Sequence, residues 1–184
     1  KWCDKYCETA DHEKELRFHH FPANLANCIK IIEKDIDSGA DGYFVFNDED
    51  IKPNYFPITI DDSYALSDDV LTAMLITHEM THVQQYLSGL NGDDALSCRD
   101  KEVAAFVSQL DFYLTLNNEE ETSVWLKMAN DRKHPQIVLL KTMIEINKDS
   151  KCGMLDSECR DRNLKGKLFD LITQDPTYQK QCEL

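Results

Sequence analysis

Two histidines four residues apart enclose a glutamate in the run His78-Glu79-Met80-Thr81-His82. No other feature narrows the chain's options as far. Residues at i and i+4 of an α-helix differ by about 40° in azimuth, one turn apart, so both imidazoles project from one face. The surrounding segment reads as helix on separate grounds. Ser67 suits an N-cap, and Asp68 and Asp69 follow where the helix dipole favours anions. Gly89, after Ser88, takes the place of a C-terminal glycine.

Two imidazoles on one helical face suit a metal ion with nitrogen and oxygen ligands, zinc above all. Glu79 directly follows the first histidine and can lean over the metal's open side. There a carboxylate can accept a proton from water activated by the metal and deliver it to a leaving amine. A third ligand is needed. Glu102 lies 20 positions beyond His82, in the run Lys101-Glu102-Val103-Ala104-Ala105-Phe106 near the start of the next helix. An antiparallel return of that helix would carry its first turn back to the metal helix, and Ala104 and Ala105 permit a close approach. The bland alternative is a solvated glutamate at a helix start, where the dipole alone favours it.

With these residues the chain resembles the zincin metallopeptidases, specifically the gluzincin branch. The resemblance covers residues 43 to 116. It implies zinc held by His78, His82 and Glu102, with Glu79 as general base and acid. It also implies a small sheet ahead of the metal helix and a substrate strand added to that sheet's edge, around Tyr55 to Ile60. Two departures stand out. Val83-Gln84-Gln85-Tyr86-Leu87-Ser88-Gly89 lacks the glycine and third histidine of metzincins. The position four beyond the ligand glutamate, acidic in many gluzincins, is Phe106. Support for the histidines is therefore expected from Asp100 or a backbone carbonyl. The candidates for stabilising the transition state are His134 and Tyr64. Tyr113 shares the face of Glu102 but lies about 16 Å further along the helix.

The rest of the chain reads as a single α+β domain, mostly helical: a helical N-terminal cap (1–42), a metal-site core (43–116) and a helical C-terminal part (117–184). Leu25, Cys28, Ile29, Ile32 and Ile36 repeat at helical spacing. Tyr43-Phe44-Val45-Phe46 and Tyr55 to Ile60 read as strands of a hairpin or meander, with Pro57 pointing to an edge position. Ser97 with Asp100 resembles a capping box for a helix to Leu116. Further helices are expected from Asn117 or Asn118, from Pro135 and over Asn163 to Thr173.

Composition limits the partners. The 184 residues carry a formal net charge of −14, opposite to the basic surplus of a phosphate-backbone reader. No apolar run approaches the ~20 residues of a membrane span. His12, His19 and His20 read as surface residues. Asp48-Glu49-Asp50 and Asp93-Asp94 follow no EF-hand pattern and read as solvated turns. The seven cysteines lack paired Cys-x-x-Cys knuckles, so they read as staples in an oxidising compartment, extracellular or periplasmic. Three disulfides with one cysteine left over are expected, Cys152 and Cys159 forming the local pair. Because the chain opens on Lys1, a trimmed product is expected, with the odd cysteine's partner in a removed segment. The leading expectation is a zinc-dependent endopeptidase acting on peptides or proteins. The alternatives are a non-catalytic zinc-binding helical module and a metal-free interaction domain.

Overall fold

The computed structural model describes residues 28–36, 40–45, 56–66, 69–90, 96–130, 135–149 and 157–182. The expectations placed on residues 1–27, on the acidic turns at 48–50 and 93–94, on His134 and on Cys152 lie outside them. Within the described residues the chain is α+β, a three-stranded sheet followed by helices.

The sheet forms around β3 (Phe56–Asp61), whose first five residues are all buried. Burial of successive residues, with Thr59 among them, is typical of a strand covered on both faces. On one side it pairs antiparallel with β2 (Gly42–Phe44), as the hairpin reading expected. On the other it pairs in parallel with β1 (Ile29–Lys34), so the order is β1-β3-β2. Two expectations fail here. The isoleucine pattern from Leu25 to Ile36 was expected as helix, yet Ile29–Lys34 is a strand. Its β-branched side chains suit a pleated surface, and pairing with β3 overrides the weak helical spacing. β3 is also central rather than an edge. Pro57 is tolerated because it lies beyond the three-residue register with β2, so its missing N–H leaves no gap in that ladder.

The helix that carries the histidines, α1 (Asp69–Leu90), packs on β2 and β3 through one flank and on the following helix through the other. It runs one residue past Gly89, which lies inside the last turn rather than beyond it. Next comes α2 (Cys98–Tyr113), capped by Ser97, whose side chain accepts from the Asp100 N–H as the sequence suggested. It ends short of Leu116. Then α3 (Asn118–Asn130) starts at Asn117, whose Oδ1 accepts from the N–H groups of Glu119 and Glu120 at 3.0 Å each. Pro135 opens α4 (Pro135–Asp149). The next helix, α5 (Ser157–Gln174), begins earlier than expected.

A short last helix, α6 (Pro176–Gln181), has Asp175 as N-cap, accepting from the Thr177 N–H at 2.8 Å. No helix was expected here, although an Asp-Pro pair is a helix-start signal. One continuous core joins Phe44, Phe56 and Ile58 of the sheet to Leu75 of α1, Phe106 and Leu110 of α2, Met143 of α4 and Leu168 of α5. Cys98 and Cys182 form a disulfide that ties the start of α2 to the end of α6, and Cys28 is also disulfide-bonded. Among the described residues no helix is long and apolar enough to cross a membrane.

Candidate metal centre

Helical spacing puts His78 and His82 on the flank of α1 that meets α2. Packing of the two helices brings Glu102 between them. His78 Nε2 stands 3.3 Å from Glu102 Oε2, and His82 Nε2 stands 3.4 Å from Glu102 Oε1. One ligand atom from each of the three side chains falls within 4.8 Å of the others, and all three residues are buried. Glu102 Oε2 is buried and has no hydrogen-bond partner. Such an orphaned carboxylate oxygen is costly, and a cation among the three side chains would satisfy it. His78, His82 and Glu102 can therefore hold a metal ion, as their spacing suggested.

The groups behind the ligands are not the ones expected. His82 Nδ1 meets Gln85 Oε1 at 2.9 Å, and Gln85 Nε2 donates to the Lys101 carbonyl at 2.9 Å. His78 Nδ1 meets Gln109 Oε1 at 3.3 Å. Two glutamines thus fix both rings with Nε2 facing Glu102. Their signal was in the sequence: Gln85 lies three residues after His82, and Gln109 lies seven after Glu102 on the same face. Asp100 does not take this part. It is engaged with Ser97 at the helix cap, two residues before Glu102, and is exposed. Phe106 instead packs its ring edge-on against His78, with centroids 4.7 Å apart.

Charge is strongly coupled in this pocket. Burial disfavours an ionised Glu102, but the adjoining His78 and His82 imidazoles outweigh it and hold the carboxyl at about 2. Burial likewise disfavours a charged His82, yet Glu102 and Glu79 push it up to about 9. Burial raises the Glu79 carboxyl above its ordinary value, against the opposing pull of His78 and His82.

Glu79 faces the same cavity, of about 170 Å³, as the three ligand side chains. Gln136 at the start of α4 donates from Nε2 to Glu79 Oε1 at 3.4 Å, and its backbone N–H donates to Asp41 Oδ2 at 2.9 Å. Gly42 backs the base from the sheet. A Cβ there would stand 3.1 Å from the Thr59 carbonyl oxygen and 3.4 Å from Glu79 Oε1, so only glycine allows this approach without displacement. Thr177, Tyr178 and Gln181 of α6 close the far wall. Tyr178 is buried on Phe106, with centroids 5.7 Å apart. Its phenol is held well above its ordinary range by burial, then by Glu102, Glu79, Asp41 and Asp175.

Tyr64, named from the sequence as a candidate stabiliser, is not at this cavity. It is buried in the 3₁₀ turn Asp62–Leu66 as part of the core, because the turn continues directly from β3. Tyr113 is also elsewhere, its hydroxyl donating to Glu121 Oε1 at 2.9 Å. Of the residues missed by sequence reasoning, Gln85 and Gln109 lie on α1 and α2 themselves, whereas Asp41, Gly42, Gln136, Tyr178 and Gln181 come from outside those helices. Comparison with known protein families, curated proteins and solved structures finds no match to this chain.

Proposed function

We propose that the chain is a zinc-dependent endopeptidase of the zincin type, gluzincin branch, with His78, His82 and Glu102 as zinc ligands and Glu79 as general base and acid. One observation carries the reading: a buried carboxylate, Glu79, shares a cavity with a buried His–His–Glu set that can hold a metal. Ligand atoms about 2.0–2.1 Å from a tetrahedral zinc ion lie roughly 3.3–3.4 Å apart. The separation of His78 Nε2 from Glu102 Oε2, 3.3 Å, falls in that range.

Zinc, when bound, supplies a Lewis acid for a carbonyl oxygen and lowers the pKa of water. The chain's own groups do the rest. Glu79, its carboxyl raised by burial and held by Gln136, takes the proton from the attacking water and passes it to the departing amine. Tyr178, kept protonated, donates a hydrogen bond to the oxygen that gains charge. It takes the place of Tyr64 as a candidate for that role. The extended substrate lies along β2, an outer strand of the described sheet whose residues line the cavity. The Cys98–Cys182 disulfide fits secretion into an oxidising compartment.

Glu79→Gln tests the mechanism. The variant should bind zinc as the wild type does while chelator-sensitive cleavage of a peptide library falls at least about a hundredfold. Undiminished cleavage would refute the role of Glu79. Stoichiometric zinc with no cleavage by the wild type would favour the non-catalytic zinc module.

A further inference from the structure

Glu102 is held from two directions, and the second comes from the far end of the chain. Gln181 Nε2 donates to Glu102 Oε1 at 2.8 Å across 79 positions of sequence. An ionised carboxylate only accepts, so the Gln181 amide must present its nitrogen. That bond occupies one oxygen and leaves Oε2, the orphaned one, facing His78. The next residue, Cys182, is bonded to Cys98, with the Cα atoms 5.6 Å apart. Cys98 and Glu102 stand four residues apart on α2, one turn along the same face. The disulfide and the hydrogen bond are therefore neighbouring rungs between the same two elements.

A six-residue helix such as α6 is too short to persist unaided. Its other anchors are Tyr178 on Phe106 and the bond from Gln179 Nε2 to the Thr173 carbonyl, 2.8 Å. The covalent rung keeps the Gln181 amide at high effective concentration beside the carboxylate.

We propose that α6 is a covalently secured clasp on the metal centre. Gln181 is a positioning residue that turns Glu102 so that Oε2 ligates the ion, and the Cys98–Cys182 disulfide holds Gln181 in place. The inference rests on the metal-binding reading of His78, His82 and Glu102 and does not depend on peptidase activity.

The test uses the full chain and measures Zn²⁺ affinity by competition with a chromogenic chelator, with the visible spectrum of the Co²⁺-loaded protein as a readout of coordination. Gln181→Met should weaken Zn²⁺ binding about 10–100-fold and alter the Co²⁺ spectrum. Exposed Lys180→Met, on the same helix, should change neither. In a Cys98→Ser/Cys182→Ser background the clasp is already loosened, so Gln181→Met should then add less than about threefold. Unchanged affinity and spectrum in Gln181→Met would overturn the proposal, and an undiminished effect without the disulfide would overturn the coupling. If the disulfide-free protein fails to fold, Gln181→Met in the disulfide-bonded chain decides alone. A wild type that binds no Zn²⁺ defeats the metal-centre reading itself. A wild type that binds Zn²⁺ without cleaving peptides defeats only the catalytic one.

Discussion

Proton competition for His82 gives the sharpest quantitative expectation. In the metal-free protein Glu102 and Glu79 hold His82 at about 9 instead of 6.5, a difference worth roughly 3 kcal/mol in favour of the charged ring. A metal can bind only the neutral ring, so it must displace that proton. At pH 7 about one ring in a hundred is neutral, and apparent affinity is about a hundredfold below its limit. Affinity should rise about tenfold per pH unit from 7 to 9 and level off above. Binding at pH 7 should release close to one proton per ion. The assay is a Zn²⁺ titration buffered by a competing chelator of known pH dependence, with calorimetry in two buffers of different ionisation enthalpy to count protons. An affinity that is flat between pH 7.5 and 9, with no proton released at pH 7, would refute the coupling of His82 to Glu102. The same pair sets metal-free stability. The raised His82 contributes in full below 6.5 and its share is lost as pH rises through about 9. The depressed Glu102 contributes above 4.5 and its share is lost as pH falls through about 2. Both are the two faces of one interaction, so metal-free stability should plateau between those unfolded-state values.

Removing either glutamine that fixes a histidine ring, by Gln85→Leu or Gln109→Leu, should weaken Zn²⁺ binding about 10–100-fold, read by chelator competition. Gly42→Ala inserts a methyl against the Thr59 carbonyl and Glu79, which should cost about 1–3 kcal/mol in urea unfolding. It should also lower peptidase kcat without weakening Zn²⁺ affinity, because Glu79 rather than a ligand is displaced. Tyr178→Phe should lower kcat about 100-fold with KM little changed, measured on the best library substrate. An unaltered kcat would remove the phenol from the mechanism.

How legible the molecule was depends on the range of each interaction. His78 and His82 share a face because the helix repeats every 3.6 residues, and local spacing alone encodes that. The caps at Ser97 and Asn117, Pro135 at its helix start and the β2–β3 pairing follow from similarly local chemistry. Gln85 and Gln109 belonged to the same periodic pattern. Their partnership with the rings became visible only once the helices packed. Ile29–Lys34 shows the opposite case. Its isoleucines fit a helical repeat and a strand alike, and the parallel pairing with β3 decided between them.

By itself, then, the sequence determined the histidine helix, its two imidazoles with Glu79 between them, and the helix that brings Glu102. These are consequences of backbone periodicity and capping within about 35 residues of chain. The tertiary structure decided what surrounds them. Gly42 packs behind Glu79, Gln136 holds it from 57 positions away, and α6 lays Tyr178 on Phe106 and returns Gln181 to a carboxylate 79 positions earlier. No spacing rule encodes such encounters. They exist because burying one shared core brings the sheet, α4 and α6 to the same cavity, where buried polar groups must find partners.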